Sequence, residues 1–395
     1  MFRLIFAFSY LRHNLSLRPF ETTRALGYAE GLMLRAALIG FPSSGKSTLF
    51  QLMTSARDGA GGKGDVRIGI SKVPDARLDV LTGMYNPKKR VPATVEFTDI
   101  AVAAKAGGAQ ALVDVANYKN ADALVHVVRA FRDETVPHPA GSVDPARDAQ
   151  AMEDELILAD LGVAERRLER IERDLKKGRS AELEKERDVV QQCQATLEEG
   201  RPLRTLSLAG DDVKRLRGFQ FLSAKPLLLV INLDEADVAD VGADVERAAA
   251  KTGLTAFLSH AATRAVALCG KIELEISQLE AGDATAFLAD LGLAESGLDR
   301  VIRASYDLLG YMSFFTVGED ECRAWSISRG TPAQLAAGEI HTDIQRGFIR
   351  AEVVAYDALT GRGSMAACRE HGEVRLEGKE YVVQDGDIIN FRHAT

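Results

Sequence analysis

The segment Leu34 to Ala56 constrains this chain most. It reads LRAALIGFPSSGKSTLFQLMTSA, an apolar strand through Ile39, a glycine-bounded loop and the start of a helix. GxxxxGK[ST] in a strand, loop, helix setting wraps backbone N–H groups around a phosphate at a helix N-terminus. Gly40 and Gly45 permit the close approaches that Cβ atoms would block. Phe41, Pro42, Ser43 and Ser44 form the loop between them, and Lys46 supplies a mobile charge for the β and γ phosphates. Ser47 is expected to ligate Mg²⁺, and Thr48 lies where the α phosphate would be contacted. The pattern implies a nucleotide-binding α/β domain. A second glycine-rich stretch, GAGGKGD at 59–65, lacks the Ser or Thr after its lysine and reads as a turn.

Such a site needs a carboxylate at a neighbouring strand end, and VEFTDIA supplies Asp99 for Mg²⁺. A later apolar strand, LLLVINLDEAD, stops at Asn232. Guanine readers use NKxD at this point, whereas here Asn232, Leu233, Asp234 and Glu235 follow one another. Leu in place of Lys, and one extra methylene on the carboxylate, disfavour guanine. Adenine could be read by Asn232 and nearby backbone.

The remaining composition sets limits. The formal charge is −8, with 49 basic and 57 acidic residues, which argues against coating nucleic acid by bulk charge. No apolar run approaches the roughly 20 residues that cross a bilayer. Cys193, Cys269, Cys322 and Cys368 are scattered without a CxxC pair, which fits a reducing cytosol. Residues 1–33 are expected to be a non-native or flexible leader, with Met33 leading straight into the first strand. His126, inside LVHVV, reads as a strand histidine with a satisfied ring.

Residues 147–219 are rich in Glu, Arg and Lys. Leu161, Ala164, Leu168, Ile171 and Leu175 recur at steps of three and four, and Leu183, Val190, Cys193 and Leu197 continue after a break at 177–180. An antiparallel helical hairpin is predicted. Its charge is uneven: 165–179 hold seven basic and four acidic groups, and 182–199 hold two and six. The arms could attract one another, or the basic ridge could meet ribosomal RNA. From about Tyr311 the short runs FFTV, RAWSI, FIRAEVVAY, EYVVQ and DIINF predict a small mixed sheet. With nine basic against 13 acidic residues at 312–395, RNA contact there would need a local site at His341, Arg346 and Arg350.

These segments together resemble the YchF, or Obg-like, ATPases. The resemblance rests on GFPSSGKSTLF, on Asn232 and Glu235, and on VPDARLD at 73–79 and HVVRAF at 126–131. It extends through ELILADLGVAERRLERI at 155–171, GLDRVIRASYDLL at 297–309, RAWSI at 323–327 and GEIHTDIQRGFIRAEV at 338–353. It implies a P-loop NTPase domain at 34–146 and 220–311, an inserted α-helical hairpin at 147–219 and a C-terminal β-grasp (TGS) domain at 312–395. It also implies a cytoplasmic ATPase bound to Mg²⁺ and ribosomes, without membrane or DNA partners. Cys269 and Gly270 complete the expected nucleotide-binding set. His138, in FRDETVPHPAGSVDP, matches the family histidine that positions the attacking water, and with Lys46 it forms the catalytic pair.

Three positions depart from the family pattern. Val102 stands where the DxxG switch has glycine, and Ala103 stands at the hydrophobic replacement of the GTPase glutamine. Lys63 falls at the first-switch threonine. These changes bear on hydrolysis more than on binding. Alternatives are a nucleotide-binding scaffold that does not hydrolyse, and a GTP-driven regulator.

Overall fold

A computed structural model describes residues 34–54, 66–100 and 118–394. The leader, the GAGGKGD stretch, Lys63, Val102 and Ala103 lie outside the described residues. Along the chain, β1 (Arg35–Ile39), α1 (Lys46–Thr54), β2 (Val66–Lys72), α2 (Ala76–Tyr85), β3 (Lys89–Val91), β4 (Thr94–Ile100) and β5 (Ala123–Arg129) precede two long helices. These are α3 (Pro145–Leu175) and α4 (Ala181–Glu198). After them come β6 (Leu227–Asn232), β7 (Thr263–Leu268), α5 (Gly270–Ile276) and α6 (Gly297–Leu308). The C-terminal part adds β8 (Tyr311–Thr316), β9 (Glu321–Ser328), α7 (Ala333–Ile340), β10 (Phe348–Val354), β11 (Arg375–Glu377) and β12 (Ile388–His393).

The first sheet has the order β2-β4-β1-β5-β6-β7. Only the β2–β4 pairing is antiparallel. Side chains alternate between its two covered faces, as a doubly covered parallel sheet requires. Leu228 and Val230 join a core with Leu38, Leu49 and Phe50, while Leu229 and Ile231 pack with Val128 and Ala248. The register sets Leu38 opposite Asp99 and Arg129 opposite Asn232, with Asn232 opposite Leu268. The phosphate loop, Asp99, Asn232 and the start of α5 therefore converge on one edge. That edge is the carboxyl end of the strands, where the chain order reverses around β1 and ligands of such sheets bind.

The hairpin is built as its apolar spacing predicts. Ala164, Leu168, Val190, Cys193 and Leu197 share a buried cluster, and Arg167 bridges the arms to Glu186 at 2.7 Å. Helix α3 starts earlier than the hairpin pattern, at Pro145 with Asp144 as its cap. Its first turns belong to the nucleotide sheet, because Ala149, Met152 and Leu156 pack beneath β1, β5 and β6. Asp160 then ties the hairpin root down, accepting the N–H groups of Leu222 and Ser223 at 2.8 and 2.7 Å. Burial pushes its carboxyl up to about 6.

The second sheet has the order β11-β10-β12-β8-β9-β3. Central β8 and β12 run parallel, and α7 covers Phe314, Ala351 and Phe391, giving the β-grasp arrangement. Two details differ from the sequence expectation. EYVVQ is not a strand, since only Val382 makes an isolated bridge to Pro332, and Arg375–Glu377 supplies β11 instead. The edge strand β3 comes from residues 89–91, which pair with β9 from Glu321 to Arg323. The second sheet thus borrows a strand lying two residues before β4. Arg77 at the start of α2 adds an ion pair to Asp385 at 3.1 Å.

Candidate functional site: a phosphate cradle at the strand ends

The loop after β1 adopts backbone angles that its glycines make possible. Gly40 and Gly45 have φ of 141° and 97°. A Cβ on Gly40 would meet the Val127 carbonyl oxygen at 2.4 Å, and one on Gly45 would meet Asn232 Nδ2 at 2.4 Å. Ser43 takes φ of 61°, an uncommon angle for a residue with a side chain. Pro42, Ser43, Ser47 and Thr48 are exposed toward solvent, whereas Ser44 is buried with no partner for its hydroxyl among the described residues. Lys46 is buried and folds back over the cradle, donating to the carbonyls of Gly40 and Phe41 at 2.7 Å each. Burial lowers its pKa to about 8, with Asp99 opposing the shift. A buried cation held by two neutral loop carbonyls, with Asp99 shared between it and Arg67, is poised for a phosphate.

Beside the lysine, Ser47 Oγ donates to Asp99 Oδ2 at 3.0 Å. Asp99 is 1% exposed, and its Oδ1 has no hydrogen-bond partner among the described residues. A hydroxyl and an under-satisfied buried carboxylate form an oxygen donor set of the kind Mg²⁺ takes. The residues present fit that ion. Arg67 on β2 also pairs with Asp99 Oδ2.

The base end is built differently. Asn232 donates from Nδ2 to the Ser44 carbonyl at 3.0 Å and accepts the Gly270 N–H at 2.9 Å. It is a buried strut between the phosphate loop and α5, and these two bonds hold the amide that was expected to read adenine. The Leu233 side chain is also unavailable as a ligand, being 1% exposed within the core, and its N–H is spent on the Leu268 carbonyl. Asp234 caps the following helix and accepts the Arg132 N–H at 3.1 Å. Glu235 is held by Lys271 at 2.5 Å. Cys269 is a buried thiol whose pKa burial raises, and it leads into α5.

His138 reaches the phosphate loop, with its ring 6.1 Å from that of Phe41. It is not free to handle water. Nδ1 accepts the Ala140 N–H at 3.1 Å, which places the ring proton on Nε2. Nε2 lies 2.9 Å from Asp148 Oδ2, close enough for an ion pair though not aligned as a hydrogen bond. The side chain is 3% exposed. The expected water-positioning imidazole is therefore turned inward, against the first turn of α3. Arg129 shapes the same loop by donating to the carbonyls of Phe131, Asp133 and Val136. His126 is the buried strand residue expected, but its Nε2 lacks a protein partner. Burial first, then the nearby Lys46 and Arg204 charges, push its pKa down to about 3.

Residues 311–394 match the family model YchF-GTPase_C, described as a protein of unknown function (DUF933). The chain is 41% identical to the ribosome-binding ATPase YchF of Bacillus subtilis over 91% of this chain and 99% of the relative. It is 33% identical to Obg-like ATPase 1 of rice, Oryza sativa subsp. japonica, over 91% and 92%. The chain belongs to the YchF/Obg-like ATPase family. The solved structure of the Schizosaccharomyces pombe YchF GTPase superposes with a TM-score of 0.77 at 28% identity, covering 92% of this chain and 99% of the other.

Against the YchF pattern, the structure assembles Gly40 to Thr48, Asp99, Asn232, Gly270 and His138 around one strand edge. Arg67, Asp148 and Lys271 were not anticipated. Each lies outside a motif and acquires its place only through pairing with Asp99, His138 or Glu235. The one signal in the sequence for Arg67 is a charged residue at the start of a strand, which ordinarily reads as solvated.

Proposed function

We propose that the chain binds ATP with Mg²⁺ and hydrolyses it slowly in the cytoplasm, coupled to ribosome association. The nucleotide unit would comprise 34–146 with 220–311, carrying the insert 147–219 and the tail 312–395. The carrying observation is the cradle itself, a buried Lys46 held at 2.7 Å by two loop carbonyls beside the Ser47–Asp99 pair. In this reading Gly40 to Gly45 wrap the phosphates, and Lys46 exchanges its carbonyl partners for β and γ oxygens. Ser47 and Asp99 would hold Mg²⁺, which supplies charge neutralisation at the phosphates. Backbone near Leu233 and the Cys269–Gly270 turn would border adenine, while Asn232 keeps the turn in place. His138 would have to leave Asp148 before it could orient water, and that step makes turnover slow.

Relatives carrying the name ribosome-binding ATPase support the partner. Arg166, Arg170, Arg173, Lys176 and Arg179 are exposed along the basic arm and its tip, available to phosphodiesters. In the tail, His341, Arg346 and Arg350 are exposed as well. A second reading, binding without hydrolysis, is favoured by the inward His138. Phosphate release measured with and without ribosomes separates the two: slow turnover stimulated by ribosomes is expected, and none in either condition leaves a nucleotide-binding switch. Failure to cosediment with ribosomes in every nucleotide state would reject the partner.

A further inference from the structure

Asp99 is shared by two claimants. Arg67 and Asp99 are direct partners in the antiparallel β2–β4 register. Their juxtaposition is therefore set by backbone pairing, which puts opposed side chains about 5 Å apart. The guanidinium reaches the same carboxylate oxygen, Oδ2, that accepts the Ser47 hydroxyl. It also lies over the Phe50 ring, 5.5 Å from its centroid, so α1 supports it from the side. Oδ1, buried and without a partner among the described residues, is the oxygen left open. Without nucleotide, Lys46 and Arg67 thus place two cations against one carboxylate, and one of them stands where a divalent ion would draw on Asp99.

We propose that Arg67 is a built-in counter-ion that competes with Mg²⁺ for Asp99 and sets the Mg²⁺ concentration at which nucleotide binds tightly. The inference rests on the Mg-ATP reading of this site. A divalent cation on either oxygen of Asp99 would lie within a few ångströms of the guanidinium on Oδ2, and the two charges repel strongly, so entry of the ion is opposed until Arg67 withdraws. Arg67 can withdraw, being one-third exposed on an edge strand, whereas Asp99 is fixed in the interior. The exchange favours a loaded state only when Mg²⁺ and phosphates arrive together, because the phosphates offset the added charge.

The test is calorimetric titration of the purified full chain with a non-hydrolysable ATP analogue across a Mg²⁺ series, for the parent, Arg67→Gln and Arg67→Lys. Arg67→Gln removes the competing charge and should lower the Mg²⁺ midpoint about tenfold, the scale of one charge-assisted hydrogen bond. Arg67→Lys keeps the charge and should stay close to the parent. A midpoint in Arg67→Gln within twofold of the parent overturns the proposal, as does a midpoint in Arg67→Lys that drops equally. If the parent itself shows no Mg²⁺-dependent binding, the Mg-ATP reading has failed instead.

Discussion

Asp99 and Asn232 lie on the same edge of the first sheet, separated by β1 and β5, and both are nearly fully buried. Asn232 has its amide engaged at both ends, at 3.0 and 2.9 Å, by protein groups fixed in the fold. Asp99 has one oxygen contested by Ser47 and Arg67 and the other without a partner among the described residues. The phosphate end holds polar groups in surplus, the buried Ser44 hydroxyl among them, whereas at the base end the Asn232 amide is engaged by protein groups. A site arranged this way draws its binding energy from phosphate and metal, and uses the base end as scaffolding. A strong dependence of affinity on the triphosphate is the expected outcome.

The largest effect should come from the phosphate end. Lys46→Ala removes the cation proposed to meet the β and γ phosphates, and turnover should fall by about 100-fold or more, as for loss of a charge-stabilising donor. Calorimetry should show ATP affinity collapsing in parallel. Activity equal to the parent would assign the hydrolysis to another site or to a contaminant.

The scaffolding end should respond in stability. Asn232→Ala strands the Ser44 carbonyl and the Gly270 N–H, at a cost of about 2–4 kcal/mol for two buried groups left unpaired. Thermal melting without nucleotide should detect it. An unchanged melting temperature with lost ATP affinity would instead mean that Asn232 touches the base directly.

The two ends also differ in how far the sequence disclosed them. GFPSSGKS is local, so glycine positions, lysine and hydroxyl follow from one strand, loop and helix. The strut role of Asn232 depends on a partner 188 residues away, and the register of β1, β5 and β6 creates it. The pairing of β3 with β9 was hidden for the same reason, since three residues after α2 carry no signal of joining a sheet over 200 residues later. EYVVQ shows the opposite error: its apolar content packs Val383 into the core without ladder pairing. His138 was found by its resemblance, but its orientation was set by Asp148 on another element.

A third contrast concerns pH. The folded chain lowers the Lys46 pKa to about 8, so above that value the free site loses its positive charge. Bound phosphate would restore the proton, hence ATP affinity should fall as pH rises through about 8, approaching tenfold per unit. Nucleotide-free stability should move the other way. Between about 8 and the ordinary lysine value the unfolded chain binds the extra proton, so this group's contribution rises with pH and is lost below about 8. Affinity and melting temperature measured from pH 7 to 10 would show whether one titration drives both.

The smallest effect should appear where the base end keeps an exposed charge pair. Glu235 stands at the position of the guanine-reading carboxylate, and Lys271 holds it at 2.5 Å on the surface. Hydrogen bonding to Glu235 raises the Lys271 pKa. Lys271→Ala would free the carboxylate toward the imino and amino hydrogens of guanine. Because an exposed ion pair contributes little, GTP affinity should rise only about threefold, with ATP affinity and melting temperature almost unchanged. Competitive displacement of a fluorescent ATP analogue by GTP reads that ratio directly. A large gain in GTP affinity would show that Lys271, rather than the missing NKxD lysine and aspartate, is the main barrier to guanine. No gain would mean that the longer Glu235 side chain cannot reach the base even when released, and that the scaffolding end is closed to guanine by geometry alone.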